Sequence, residues 1–203
     1  MGADPIIVSI STWQTELPDL VGHLVTLREP AEGDRDAIVD LLLSAGATRF
    51  GLDSSPSNAT VDRFIERLRR DRSAGASFTY AVTAAATRQF VGLLQVRQLD
   101  PAFEAAEWEC IIAPSSRGMG VFVEAAHLVA SFSFGSVGTR RLEARVLLQD
   151  GRGNGALRKI GAVQEGILRR SVRRGSEYLD RVLWTVLIDD WNERQLPGGR
   201  RAD

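Results

Sequence analysis

Among the 203 residues there is one cysteine, Cys110, and there are two histidines, His23 and His127. A single cysteine closes no internal disulfide, and two histidines set far apart offer no metal-ligand spacing. Disulfide scaffolds and structural zinc sites are excluded, and no metal is expected. Long apolar runs are also missing. Leu41-Leu42-Leu43 is typical of what is present, against the ~20 consecutive apolar residues of a membrane-spanning helix. An excess of either charge is lacking too, with 25 basic and 26 acidic side chains and a formal net charge of −1. No global field then draws the chain to nucleic acid or anionic lipid, and neither is expected as a partner. Lysine is nearly absent, Lys159 being the only one, while arginine is scattered over every segment. That pattern reads as genome bias rather than function.

What is present is ordinary for a globular protein: 44% hydrophobic, 25% charged and 7% aromatic residues, in a length that suits one domain of ~100–200 residues. The start, Met1-Gly2-Ala3-Asp4-Pro5, has no basic region of a signal peptide, and Ile6 stands where a myristoylation signal wants Ser or Thr. A cytoplasmic location is the expectation. Residues 1–19 show no lasting periodicity and read as an irregular arm, residues 20–191 as the folded domain, and residues 192–203 as a flexible tail.

Along the domain, Val25-Thr26-Leu27-Arg28 reads as a strand, and Asp34 as the cap of an apolar helix through Ile38 and Leu42. A Gly-, Ser- and Pro-rich loop is expected over 44–58. Val61, Phe64, Ile65 and Leu68 then fall at i, i+3, i+4 and i+7, predicting a helix over about 60–73. Residues 78–82 and 90–96 are β-rich runs with a polar connection, an antiparallel pair. A further strand, Trp108–Ala113, ends at Pro114, and Phe122, Ala125, Ala126 and Val129 space out another helix. Leu142, Ala144 and Val146 alternate with charged residues as a half-buried strand should. A short helix over 154–160 closes at Gly161. Residues 167–172 and 178–188 flank Arg174-Gly175-Ser176 as a closing hairpin.

The chemistry begins at Ser115-Ser116-Arg117-Gly118-Met119-Gly120-Val121, between a strand and a helix. A glycine turn there gathers main-chain N–H groups and the positive end of the helix dipole, which suits a phosphate, although such a turn can also bind nothing. A dinucleotide fingerprint wants a third glycine where Val123 stands, and a Walker A loop wants a lysine that the turn lacks. What is left is a cofactor whose diphosphate lies on Arg117 to Val121 while an extended arm runs beside the preceding strand.

That arrangement resembles the GNAT superfamily of acetyl-CoA-dependent N-acetyltransferases, with their Gln/Arg-x-x-Gly-x-Gly/Ala hallmark. The resemblance extends over Thr26-Leu27-Arg28-Glu29-Pro30 with Asp34, Arg141-Leu142-Glu143-Ala144, Leu157 to Ala162, Glu165-Gly166 and Leu183-Trp184. It spans about residues 21–191 and points to the branch of ribosomal-protein N-terminal acetyltransferases. Ser115 departs from the hallmark's first position, with Arg117 as the substitute phosphate partner. Asp150 to Gly153 stand where the branch often has Asn-x-x-Ser, with Asn154 either a replacement cofactor contact or a helix cap.

The resemblance implies an α/β fold with a mixed, mostly antiparallel, twisted sheet and helices on both faces, the cofactor lying in a notch between the family's fourth and fifth strands. It implies acetyl-CoA as co-substrate, with the main chain of Ile111, Ile112 and Ala113 holding the pantetheine and Arg117, Gly118, Met119, Gly120 and Val121 the pyrophosphate. The acceptor is a primary amine, of a protein N-terminus or of a small molecule, and a homodimer is left open. Acetyl transfer needs the amine neutral, so a base must take its proton. Glu107 and Glu109, two apart on one strand, share a face. The family often places its base near Glu107, which is preferred over Glu109, and either carboxylate could instead be arginine-paired. The family's helical tyrosine acid is missing, and Tyr178 reads as packing. Cys110 falls on the opposite strand face and reads as a small core residue. Four arginines between 169 and 174 border the acceptor side or simply solvate the hairpin. A member that binds acyl-CoA without turnover is the alternative in another class.

Overall fold

The computed structural model describes residues 12–45, 50 and 55–195. Residues 1–11 of the expected arm, most of the expected loop over 44–58, and the tail from residue 196 lie outside them. One eight-stranded sheet organises the rest.

The first half of the sheet is built by near neighbours. β1 (Leu20–Val21) turns into β2 (Val25–Arg28), in which Val25 and Leu27 are fully buried, as alternation demands. Asp34 accepts from the Ala31 N–H (2.9 Å) and from Arg28 (2.6 and 2.7 Å), closing a 3₁₀ turn that leads into α2 (Arg35–Ala45). α3 (Asn58–Ser73) starts at the Ser57 cap and buries Val61, Phe64, Ile65 and Leu68, the stripe its spacing predicts. The β3 (Ser77–Ala84) and β4 (Phe90–Gln98) pair is antiparallel, and β5 (Ala105–Ile112) adds antiparallel to β4. β5 starts three residues before the expected strand.

A helix, α4 (Val121–Phe132), crosses to β6 (Arg141–Leu147), which runs parallel to β5, the one parallel pair among the described strands. α5 (Gly151–Lys159) follows, three residues earlier than its predicted start, because Asp150 is the cap and accepts from the Gly153 N–H at 2.9 Å. β7 (Val163–Arg174) and β8 (Glu177–Leu187) form the closing hairpin, with Gly175 at φ 61° in its turn and β8 inserted against β6. α6 (Ile188–Gln195) takes in residues 192–195, which the sequence assigned to the tail.

Each face of the sheet carries its own core. Ile38, Leu42, Phe64 and Ile65 of α2 and α3 pack on Leu93 and Ile111. Ala126 and Val129 of α4 and Leu157 of α5 pack with Trp108 and Leu142 on the other side. Residues 12–19, expected to be irregular, join this second core. α1 (Thr12–Thr15) sets the Trp13 ring edge-on to Phe78 and Phe103, each 5.5 Å away, and Leu17 is buried as well. Isolated polar residues masked the anchor, since its partners lie more than sixty positions away. His127 packs beside Trp191 of α6, ring centres 4.9 Å apart.

Glu124 of α4 ties the N-terminal strands to the helix. Its carboxylate accepts from the N–H groups of His23 (2.9 Å), Leu24 (2.6 Å) and Val25 (2.8 Å). A side chain at Gly22 would press on that carboxylate at 2.6 Å. Burial alone would raise the Glu124 carboxyl, but the three donors outweigh it and hold it below its ordinary range. With the folded value under the ordinary ~4.3, the stability of this contact is present above that pH and is lost as pH falls through the folded value. Glu124→Gln is expected to lower the melting temperature at pH 7 by roughly 2–5 °C, and thermal melts from pH 7 to pH 3 should show the gap to the native chain closing at the acid end.

Candidate active site

The site exists because two neighbouring strands part. β5 and β6 pair at Ala105↔Arg141, Ala106↔Leu142 and Glu107↔Glu143, and the ladder stops there. β5 continues to Ile112 against β4, and β6 to Leu147 against β8. The strand ends beyond Glu107 therefore enclose a notch. Ala113 donates its N–H to the Val91 carbonyl at 2.8 Å. By the alternation of an antiparallel ladder, residues 109, 111 and 113 direct their main-chain groups at β4, and those of Trp108, Cys110 and Ile112 face the notch. Of the three residues expected to hold a pantetheine arm, Ile112 alone presents its main chain there.

At the mouth of the notch lies a cleft of about 860 Å³ lined by Trp108, Ile112, Arg117, Gly118, Gly120, Phe122, Arg152 and Lys159, among others. Gly118 and Gly120 both sit in the left-handed region, at φ 83° and 81°, which side chains rarely adopt. A Cβ on Gly118 would enter space with no protein atom within 4 Å. The first intrahelical bond of α4 runs from Glu124 N–H to the Gly120 carbonyl, so the preceding N–H groups at the helix start have no partner within it. Arg117 is fixed by its Nε, which donates to the Ile112 carbonyl at 2.9 Å. Open glycines, a helix start and the cations Arg117, Arg152 and Lys159 fit a diphosphate carrying a further phosphate. Met119 is exposed and Val121 points into the core.

Asn154 does something else. Its amide donates to the carbonyls of Leu147 (2.9 Å) and Asp150 (2.8 Å), and its oxygen accepts from the Trp184 indole N–H at 2.8 Å. Buried and fully engaged, it ties α5 to β6 and β8 rather than facing the cleft. Neither of its expected roles, cofactor contact or helix cap, describes it.

A second cavity of about 200 Å³ opens on the other side of the notch, lined by Gln95, Arg97, Glu107, Glu109, Arg145 and Arg181 among others. Trp108, Ala144, Val146, Asp150 and Gly153 line both spaces, so the two meet at one wall. Glu107 and Glu109 share a strand face and both reach this cavity, as their spacing predicts, yet their settings differ. Glu107 is buried, with Arg97 on its Oε2 and Arg145 on its Oε1 at 2.7 Å. Arg145 also reaches Glu143 at 2.9 Å, and Arg141 joins Glu143 (2.8 Å) to Glu165 (2.5 Å). Glu109 is half-buried, opposite Gln95. Tyr178 is exposed on the hairpin with the Arg170 guanidinium 5.2 Å from its ring centre.

A sheet split beside a glycine turn, with a second pocket behind the split, offers room for an extended cofactor on one side and a separate acceptor on the other. Residues 25–163 match the acetyltransferase (GNAT) domain model, and the chain belongs to the GNAT family, whose members use acyl-CoA. It is similar to "Probable N-acetyltransferase YjcK" of Bacillus subtilis, 24% identical over 131 residues that cover 64% of this chain and 70% of that one. Among solved structures, RimJ of Mycobacterium smegmatis in complex with CoA-disulfide superposes with a TM-score of 0.73 at 20% identity, covering 82% of this chain and 83% of that one. The spermidine/spermine N-acetyltransferase SpeG of Vibrio cholerae superposes at 0.70, 20% identical over 85% of this chain and 98% of that one. No helix among the described residues is long and apolar enough to cross a membrane.

Two variants separate cleft from scaffold. Gly120→Val, whose Cβ meets Leu24 at 3.2 Å in a left-handed backbone, is expected to weaken CoA binding about tenfold or more by calorimetry, roughly the value of one lost charge-assisted contact. Asn154→Ala should instead lower unfolding stability by about 1–3 kcal/mol through the unpaired Trp184 N–H, with CoA affinity of the folded protein retained.

Proposed function

We propose that the chain transfers the acetyl group of acetyl-CoA directly to a primary amine, with a protein N-terminal amine as the acceptor class. The observation that carries this reading is the shared wall: a cofactor-sized cleft and a small polar cavity meet where β5 and β6 part. A thioester delivered along the main chain of Ile112 and Cys110 reaches that wall from one side, and an amine reaches it from the other. When bound, acetyl-CoA supplies the activated acyl group; the chain orients it and handles the proton.

Glu109 is the residue we assign to that proton, on its place beyond the last β5–β6 rung, where the strands have parted. Both oxygens of Glu107 are engaged by guanidiniums, which suits it to positioning Arg97 and Arg145. Glu109 lies on the same face one pleat further into the notch and lines the same cavity. No tyrosine stands on α5, and Tyr178 lines neither cavity, so the departing thiolate takes its proton from solvent. The exposed arginines of the β7–β8 hairpin, Arg169, Arg170, Arg173 and Arg174, disfavour a polycation such as spermidine and support the peptide amine.

Thiol release from acetyl-CoA across peptides and small amines tests the reaction. CoA binding with no release on any acceptor would make the chain a binding module. Glu109→Gln is expected to lower kcat by about 10²–10⁴-fold with cofactor binding retained, the usual span for a general base, and raising the pH should restore part of the rate by delivering neutral amine. Glu107→Gln should act mainly on thermal stability. If its kcat falls as far while Glu109→Gln is near normal, the base is Glu107.

A further inference from the structure

The three guanidiniums lining the acceptor cavity are not equivalent. Arg97 is committed to Glu107, and Arg145 to Glu107 and Glu143. Arg181, half-buried on β8, is held by neutral atoms: its Nε donates to the Ser171 hydroxyl at 3.0 Å and its Nη2 to the Ser171 carbonyl at 3.2 Å. The geometry is imposed by the hairpin. The β7–β8 register shifts between Leu168 and Val172, Arg170 takes φ 49° within the shift, and its N–H is pinned by the Asp180 carboxylate at 2.7 Å. That bulge brings Ser171 to Arg181.

Carboxylates of the same cavity have other duties. Glu107 is doubly paired, Asp150 caps α5 through the Gly153 N–H, and Glu109 is the assigned proton acceptor. A guanidinium oriented into a small cavity by neutral partners keeps donors for an anion, and planar donors favour a carboxylate. Outside the cavity the charge has the same sign. Between residues 166 and 183 the hairpin carries five arginines against Glu177 and Asp180, and Arg169, Arg170, Arg173 and Arg174 are exposed.

We infer that Arg181 recognises an anionic group next to the acceptor amine, and that the preferred acceptor is a peptide N-terminus followed directly by acidic residues. This rests on the amine-acetylating reading above. A cavity of about 200 Å³ accommodates the first residue or two, and the basic hairpin takes the continuing acidic segment. A free amino acid would present the same chemistry through its own carboxylate.

Initial rates of CoA release by the full chain, with saturating acetyl-CoA, test it in two arms: the peptide Ala-Asp-Asp-Gly against Ala-Asn-Asn-Gly, both amidated, and free alanine against alaninamide. An anionic acceptor should exceed its neutral partner in kcat/KM by about tenfold or more, chiefly through KM, the scale of one charge-assisted contact, and the gap should narrow with rising ionic strength. Arg181→Gln should bring the ratio to about one, and Arg181→Lys should restore part of it. A preference in the peptide arm supports the proposal as stated; one confined to the alanine arm keeps the anion contact and overturns the peptide assignment. Equal rates in both arms overturn the proposal and leave the acetyltransferase reading standing. Absence of release on all four acceptors overturns both. The native-chain comparison needs no variant, so a misfolded Arg181→Gln protein leaves it decisive.

Discussion

Two carboxylates, Glu107 and Glu143, stand directly opposite each other on adjacent parallel strands, and the ladder ends at that rung. Like charges so placed repel. Arg145, two residues on along β6, answers both, at 2.7 Å and 2.9 Å, and Arg97 and Arg141 extend the pairing to β4 and β7. The result is a row of alternating charge laid across the sheet at the point where it splits. Desolvation makes such networks weak sources of net stability, but they penalise any other register heavily. A slip of one residue between β5 and β6 would send these side chains to the apolar face under α4. The network thus fixes where the opening begins, and everything the site does depends on that point.

Either side of the split is braced separately. β4 holds β5 along its whole length, with the α2 and α3 core beneath Ile111. β8 holds β6, with Asn154 clamping α5 to both through Leu147 and Trp184. The parted strands are therefore edges facing a cleft without being loose ends of the sheet. Their main-chain groups stay fixed while remaining available, which is how an extended ligand can be read by backbone alone.

Much of this architecture is legible in the residues themselves. The stripe Val61-Phe64-Ile65-Leu68, the alternation at Leu142-Glu143-Ala144-Arg145-Val146 and the glycine turn all report local geometry, and local geometry is what periodicity encodes. Glu107 and Glu109 on one face follow from the pleat alone. Their different settings do not, because the partners of Glu107 come from Arg97 on one neighbouring strand and Arg145 on the other, and only the register brings them together. The buried amide of Asn154 and the anchor at Trp13 were hidden for the same reason. Arg152 and Lys159 of the larger cleft looked like background composition, and an i, i+7 spacing on one short helix was the available hint. The Arg141-Glu143-Arg145 alternation was a second signal, visible but ambiguous until its strand partners were known.

The order β6-β8-β7 carries a consequence for the life of the chain before it is complete. During synthesis the glycine turn, with its preceding strand and following helix, emerges long before β8, yet β8 is the strand that pairs with β6. Until residue 187 has left the ribosome, β6 is an unpaired edge, and β7 has no neighbour to join, since its partner follows it in sequence. A nascent chain would then carry the glycine turn beside an exposed strand able to recruit foreign strands. The small cavity takes Arg181 from β8, so it is complete only when the C-terminal hairpin is, and the same hairpin covers the open side of β6.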